Sequence, residues 1–266
     1  CEACEATGIV IGGEFKKILE EYKKIAANRP KAVEEYDQGF ISLEGVIKRV
    51  AFMYERGDIQ NTEIFVGGDD DLLSIVLALT GMPKRVVAID IDERLIDFIN
   101  GIADERGLPL EAFTHDLRYE FGDNVRKRFD VFVTDPVETV PGIRLFISRC
   151  VSALKGIGCA GYFGLTTVES SRKKWYEIER MLLDMGFVIT DIRRKFNVYP
   201  FVEESHGGFE ETFKIVKKLG QKANCDWYHS ALFRIEAVKE PKPLVEGTAK
   251  LGPELYVDDE TWATPE

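Results

Sequence analysis

The stretch that decides the fold is residues 63–79, which read EIFVGGDDDLLSIVLAL. An apolar run, two glycines and a second apolar run predict a buried strand, a tight turn and the start of a helix. Residues 86–92, VVAIDID, predict a second strand that ends in an acid, Asp90. This order of elements is typical of the nucleotide-binding half of a Rossmann unit, in which such an acid accepts hydrogen bonds from ribose hydroxyls.

Three consecutive aspartates, Asp69, Asp70 and Asp71, follow the glycines Gly67 and Gly68 at the turn. A pyrophosphate needs a neutral glycine loop at the positive end of a helix, and three carboxylates would repel it. We therefore expect a ligand that carries positive charge, and an S-adenosyl sulfonium fits better than NAD. The alternative is a Gly/Asp turn that only caps the helix, but capping requires one aspartate rather than three.

Composition sets the class of protein. With 266 residues, 45% of them hydrophobic, the chain is expected to form one large domain with small appendages. Its net charge of -11 argues against a nucleic-acid partner and favours a small cationic substrate. No run of eighteen apolar residues and no signal peptide are visible, so we expect a cytoplasmic protein without a membrane partner. Cys1 and Cys4 form half of a zinc or redox motif, and the other three cysteines lie far away, so no metal is predicted.

The remaining periodicity predicts the other elements of the fold. Helical spacing at 14–26 and 42–55 predicts two amphipathic helices, the second with Val46, Ile47, Val50, Met53 and Tyr54 facing inward. Further strands are predicted at 110–113, 129–135, 158–163, 187–196 and 228–238. The predicted fold is α/β, a Rossmann-like class I methyltransferase fold. Its seven-stranded sheet is mostly parallel, with an antiparallel last strand and helices on both faces.

Three regions follow from this reading. Residues 1–60 are an N-terminal helical lead-in, interpreted as the remnant of a truncated N-terminal domain. Residues 61–238 are the Rossmann-like catalytic domain, with a candidate lid at 197–225. Residues 239–266 are a flexible acidic tail, in which Asp258, Asp259 and Glu260, with Tyr256 and Trp262, either fold over a cationic substrate or remain solvated.

Acidic side chains follow successive predicted strands. The five at strand ends are Asp70, Asp90, Asp116, Asp135 and Glu138. A single one is explained by a solvated loop. Ligands of open parallel sheets bind at the carboxyl ends of the strands, so five such acids predict a binding site.

Three motifs resemble one family. Residues 67–71 (GGDDD), 88–92 (AIDID) and 129–138 (FDVFVTDPVE) are similar to the branched-chain polyamine synthases of thermophiles. These are N4-bis(aminopropyl)spermidine synthases, relatives of spermidine synthase. The resemblance extends from about residue 36 to residue 228, and Gly-Asp-Asp-Asp is its most specific part. The family has Asp-Pro-Pro-Glu after the fourth strand, whereas here Val137 replaces the second proline. We interpret the start of the chain as lacking the N-terminal domain of the family.

The resemblance implies an aminopropyltransferase that moves the aminopropyl group of decarboxylated S-adenosylmethionine to a polyamine, at N4 of spermidine. It implies no bound cofactor, a homodimer, and roles for particular residues. Asp70 contacts the aminopropyl arm, Asp90 binds ribose and Asp116 contacts adenine. Asp135 and Glu138 form the pair that holds the amine-activating base, and Asp70 is the rival for that role. The other expected site residues are Gly67, Gly68 and Asp69 for the donor and Asp71, Tyr36, Asp37 and Gln38 for the polyamine.

Three alternatives remain open. The first is an S-adenosylmethionine-dependent methyltransferase, because residues 135–138 faintly resemble the Asp-Pro-Pro-Tyr of base-amino methylases, without the stacking aromatic. The second is a non-catalytic nucleoside-binding module. The third is a linear spermidine synthase, which Asp69 and Asp71 disfavour because that family has glycine at both positions.

Overall fold

The computed structural model describes residues 4, 5, 7–33, 36, 38–200, 218, 220 and 226–261. One seven-stranded sheet organises the fold, with the strand order β3-β2-β1-β4-β5-β7-β6. The strands are β1 (Glu63–Gly67), β2 (Arg85–Asp90), β3 (Leu110–Thr114), β4 (Val131–Thr134), β5 (Ala160–Thr166), β6 (Phe187–Val198) and β7 (His229–Ala237). The helices are α1 (Gly13–Ala26), α2 (Leu43–Glu55), α3 (Leu73–Leu79), α4 (Glu93–Arg106), α5 (Val140–Ala153) and α6 (Arg172–Asp184).

The sheet confirms the predicted fold class. Strands β1 to β5 pair in parallel, whereas β7 runs antiparallel to both β5 and β6. The chain leaves β1 toward β2 and β3 and then returns to place β4 on the other side of β1. The strand order therefore reverses between β1 and β4. A crevice opens at the carboxyl edge of the sheet at such a point.

Alternating apolar side chains of the central strands feed two cores, one on each face of the sheet. Val66 of β1 packs with the lead-in helices, and Phe65 packs with α5 and α6 on the opposite face. The buried apolar side chains of α1 and α2 belong to the same core as Val66 and Ala88 of β1 and β2. Within α2 one expected position was wrong, because Tyr54 is 47% exposed.

The described part of the predicted tail contacts the body of the protein. Pro253–Leu255 forms a single 3-10 turn, and Leu255 is buried. The Thr139 hydroxyl donates a hydrogen bond to the Leu255 carbonyl at 2.7 Å. Within the described ranges, no helix is long and apolar enough to cross a membrane. The predicted lid at 197–225 lies mostly outside the described residues.

Candidate active site

The turn after β1 requires glycine at position 67 and favours it at position 68. A Cβ on Gly67 would lie 2.9 Å from the Cys150 sulfur, so only glycine lets β1 approach α5 this closely. Gly68 has a φ of 81°, in the left-handed region that favours glycine. Together they turn the chain sharply at the carboxyl end of β1 and direct the three aspartates toward the switch point.

The three aspartates take up different positions. Asp69 is buried, and its carboxylate accepts a hydrogen bond from the Ser74 amide at 3.2 Å. Asp70 accepts one from the Gly39 amide at 3.0 Å, and Asp71 accepts one from the Ile41 amide at 2.8 Å. The segment that enters α2 is therefore tied to the aspartate turn through its backbone.

A cleft lies at the carboxyl edge of β1 to β4, beside this turn. All three aspartates line it, and so do the strand-end acids Asp90, Asp116 and Asp135. Leu117, Val137, Leu145, Phe146, Leu255 and Tyr256 form an apolar part of its wall. The cleft thus combines an acidic end with an apolar end, which suits a ligand that has a cationic arm and a flat ring.

Asp90 occupies the end of β2, as the Rossmann pattern predicts. One oxygen of its carboxylate accepts from the Asp69 amide at 3.0 Å and the other accepts from the Asp92 amide at 2.9 Å. These bonds fix the carboxylate at the mouth of the turn. Asp92 itself caps α4, where its side chain accepts from the Arg94 amide.

Asp116 lies at the end of β3 and pairs with Arg118, with 2.7 Å between the guanidinium and the carboxylate. Burial favours a higher pKa for Asp116, but the Arg118 hydrogen bonds lower the pKa below its ordinary value. The side chain is therefore ionised and accepts hydrogen bonds. It lines the cleft beside Leu117 of the apolar wall.

Arg49 is a site residue that sequence reasoning missed. It projects from α2 into the cleft, is 2% exposed, and forms an ion pair with Asp135 at 2.8 Å. Burial would lower the pKa of Arg49, but the charges of Asp135 and Asp71 raise it overall. A signal was present in the sequence, because Arg49 follows Val46 by three residues and precedes Met53 by four, on the inward stripe of the helix.

Glu138 lies in a different environment from Asp135. It does not line the cleft, and its carboxylate accepts from the Thr166 amide at 2.7 Å and the Ser170 hydroxyl at 2.7 Å. Glu169 lies close enough for its charge to affect Glu138, and the Tyr228 hydroxyl donates to Glu169 at 2.5 Å. Of the expected pair, Asp135 therefore lines the cleft, whereas Glu138 belongs to a second polar cluster.

Burial raises the pKa of several of these acids. It raises the pKa of Asp69 to about 8 and that of Asp71 to about 6, while the Arg49 charge lowers the pKa of Asp71. Burial and then the charge of Asp71 raise the pKa of Asp70 well above its ordinary value. Burial, followed by the charge of Glu169, raises the pKa of Glu138 to about 8. Burial also raises the pKa of Asp90.

The polar connector of the lead-in reaches the cleft only in part. Tyr36 and Gln38 line it. The Gln38 amide group donates to Asp92 at 3.1 Å, and its oxygen accepts from the Val33 amide at 2.8 Å. Asp37, which the sequence places with the polyamine-binding residues, lies outside the described residues.

The cysteines do not gather into a common site in the described part of the chain. Cys150 and Cys159 are buried and Cys4 is partly buried, whereas Cys1 and Cys225 lie outside the described ranges. Among the described residues there is no group of three or more side chains that could hold a metal ion.

The strand order and the cleft at the switch point define a Rossmann-like protein of class I methyltransferase topology. The putative RNA methyltransferase of Pyrococcus horikoshii shares this fold, with a TM-score of 0.61 at 15% identity over 85% of this chain and 99% of that chain.

More similar proteins identify the family. The model described as the branched-chain polyamine synthase A C-terminal domain matches residues 17–263. The N(4)-bis(aminopropyl)spermidine synthase of Thermococcus kodakarensis is 44% identical over 269 residues, which cover 99% of this chain and 74% of the relative. A solved structure of the Thermus thermophilus branched-chain polyamine synthase, the C9 mutein with N4-aminopropylspermidine and 5′-methylthioadenosine, has a TM-score of 0.88 at 39% identity. That match covers 99% of this chain and 75% of that chain. The chain belongs to the branched-chain polyamine synthase family, which confirms the resemblance found in the sequence.

Proposed function

We propose that this protein is an aminopropyltransferase that moves the aminopropyl group of decarboxylated S-adenosylmethionine to N4 of spermidine, giving branched-chain polyamines. The observation that carries the proposal is the row of aspartates beside an apolar wall in one cleft. The relatives named N(4)-bis(aminopropyl)spermidine synthase support it. So do the solved structures that hold N4-aminopropylspermidine with 5′-methylthioadenosine.

The donor is proposed to lie along the cleft from the apolar wall to the aspartate turn. Its adenine packs against Leu117 and Phe146 and contacts Asp116, and its ribose hydroxyls donate to Asp90. The sulfonium and the aminopropyl ammonium then approach Asp69 and Asp70. The turn at Gly67 and Gly68 allows the backbone to come close to the ligand. This placement matches each part of the donor to a wall of suitable polarity.

The reaction requires a free amine in line with the carbon attached to sulfur. The amine nitrogen forms a bond to that carbon, the carbon–sulfur bond breaks, and its electron pair stays on sulfur as the neutral thioether 5′-methylthioadenosine. The amine proton goes to a carboxylate. Because the sulfonium is already a good leaving group, positioning and proton transfer are the tasks left to the side chains.

We assign the base role to Asp70 rather than Glu138. Asp70 lines the cleft, and burial together with neighbouring acids raises its pKa, so that it can accept a proton near neutral pH. Glu138 does not line the cleft, and both of its carboxylate oxygens accept hydrogen bonds from Thr166 or Ser170. Glu138 is therefore proposed to hold the end of β5 in place.

The acceptor is proposed to lie against Asp71 and Asp135, whose charges Arg49 partly neutralises. Tyr36 lines the same cleft and is proposed to contact the polyamine, together with Gln38 and Asp37 as the sequence predicts. The homodimer and the cytoplasmic location remain predictions from the sequence and the family resemblance.

The first prediction concerns the choice of donor. The carboxylate of S-adenosylmethionine would approach the aspartate turn, where Asp71 is mostly ionised at neutral pH and repels it. The decarboxylated donor presents only an ammonium there, which favours the ionised forms of Asp69 and Asp70. We expect the decarboxylated donor to bind tighter by about a hundredfold, since like charges placed together cost several kcal/mol. Calorimetric titration with each compound, and mass spectrometry of the product formed from spermidine, make the test. Equal affinity together with a methylated product would establish a methyltransferase instead.

The second prediction concerns the donor pocket. Asp90→Ala removes the carboxylate proposed to bind ribose, so the KM for the donor should rise while the KM for spermidine stays nearly constant. A hydrogen bond to a charged group is worth about 1.5–3 kcal/mol, or roughly ten- to 150-fold in affinity. Steady-state kinetics with each substrate varied in turn measures the effect. If the variant melts like the wild type and its donor KM is unchanged, Asp90 does not bind the donor and only accepts hydrogen bonds from the backbone.

A further inference from the structure

A buried lysine joins the tail to the body of the protein. Lys174 of α6 is 5% exposed, and it forms ion pairs with Asp258 and Glu260 of the tail. Its ammonium donates to the Asp258 carboxylate at 2.8 Å, to the Thr261 hydroxyl at 2.8 Å, and to the Glu138 carbonyl at 3.0 Å. A buried ammonium is expensive unless it is paired and fully hydrogen-bonded, and here the tail supplies the pairing charge.

Residues 253–261, which we name the strap, are attached to α6 by several contacts. The Glu260 carboxylate accepts from the Ser171 amide and the Ser171 hydroxyl, both at 2.7 Å. Asp258 also accepts from the Thr261 amide at 2.8 Å, which closes the end of the strap into a turn around the lysine. Asp258 and Glu260 therefore bind α6, and the expectation that the tail closes over a cationic substrate stays a prediction.

The other end of the strap forms part of the cleft. Leu255 and Tyr256 line the cleft beside Val137, and the Leu255 carbonyl accepts from the Thr139 hydroxyl. The Lys174 ammonium also donates a hydrogen bond to the carbonyl of Glu138, which lies between Val137 and Thr139 in the sequence. The lysine thus holds both the strap and the loop that follows β4, which contribute Leu255, Tyr256 and Val137 to the apolar wall.

We propose that Lys174 is a positioning residue that holds the strap against α6 and so fixes the Leu255–Tyr256 side of the nucleoside pocket. The inference rests on the proposed donor site. Lys174 does not line the cleft, so it acts through the strap and not on the reacting atoms. Replacing it should loosen the wall against which the adenine packs, whereas the aspartate turn and Asp70 should be unaffected.

The test compares Lys174→Met and Asp258→Asn with the wild type. Calorimetry with 5′-methylthioadenosine should give affinities about ten- to a hundredfold weaker, the cost of misplacing a binding wall. The donor KM should rise in parallel, the spermidine KM should change little, and Lys174→Arg should recover part of the loss. Lys155→Met is the matched control, because Lys155 pairs with Glu63 and Asp130 away from the cleft and should bind as the wild type does.

Amide hydrogen exchange across residues 253–261 measures how firmly the strap is held, and it requires no ligand. We expect faster exchange in Asp258→Asn and Lys174→Met than in the control. Asp258→Asn alone carries the test if Lys174→Met does not fold. Wild-type exchange in the strap, or wild-type affinity for 5′-methylthioadenosine in folded variants, would overturn the proposal. If the wild type binds no 5′-methylthioadenosine, the proposed donor site has failed, and the exchange rates alone decide whether Lys174 holds the strap.

Discussion

Asp70→Asn should lower turnover by roughly two to four orders of magnitude, the usual contribution of a positioned general base. The substitution keeps the shape of the side chain and can still accept from the Gly39 amide, but it cannot take the amine proton at neutral pH. The activity of the variant should recover partly as pH rises, because the solution then supplies more free amine. Single-turnover rates across a pH series, with donor and spermidine saturating, measure both effects.

Glu138→Gln is the matched comparison. Its side chain lies outside the cleft, so turnover should fall much less than in Asp70→Asn, mainly through altered contacts with Thr166 and Ser170. The reverse ranking, with Glu138→Gln almost inactive and Asp70→Asn near normal, would transfer the base role to Glu138. Near-normal turnover in both variants would contradict the aminopropyl-transfer roles of both acids.

Arg49→Met should destabilise the folded protein by about 3–5 kcal/mol, the cost of leaving a buried charge without its partner. The Arg49 side chain is 3% exposed and that of Asp135 is 28% exposed, so solvent screens this pair little. Removing the guanidinium leaves the carboxylates of Asp135 and Asp71 uncompensated. Urea unfolding, read as a change in the midpoint at constant slope, measures the loss.

The loss in Arg49→Met should shrink in acid, because burial raises the pKa of Asp71 and its protonation then removes an uncompensated charge. Lys155→Met is the control, since its ion pairs with Glu63 and Asp130 are partly exposed and should contribute about 0–1 kcal/mol. Equal losses in the two variants, or a loss in Arg49→Met that does not change with pH, would show that the Arg49 charge does not matter for stability.

The sheet and the positions of the strand-end acids were predictable because they follow from local rules. Apolar runs give buried strands, glycine at a left-handed φ gives the turn at Gly68, and parallel strands bring their carboxyl ends to one edge. Four of the five predicted strand-end acids line the cleft for this reason. The outcome at Glu138 differs because a side chain three residues beyond Asp135 can turn toward the end of β5, and periodicity does not specify that direction.

The roles of Arg49 and Lys174 were not predicted because the partners of these two cations are distant in sequence. Arg49 pairs with Asp135, 86 residues away, and Lys174 pairs with Asp258, 84 residues away. A charged residue on the inward stripe of an amphipathic helix is a usable sign, and both residues show it. The sign indicates that a buried partner exists, but only the tertiary structure shows which one. Tyr54 is exposed because it lies in the last turn of α2, where the buried part of the helix ends at Met53.

Some acids of the cleft remain protonated in the folded protein near neutral pH. Because burial raises the pKa of Asp69 to about 8 and that of Asp70 well above its ordinary value, these side chains hold protons near neutral pH that they would have released in an unfolded chain. A polycation that settles against these carboxylates favours their ionised forms and expels those protons. Ligand uptake is then also an exchange of one positive charge for another. The heat that it evolves therefore depends on how strongly the surrounding buffer takes up hydrogen ions.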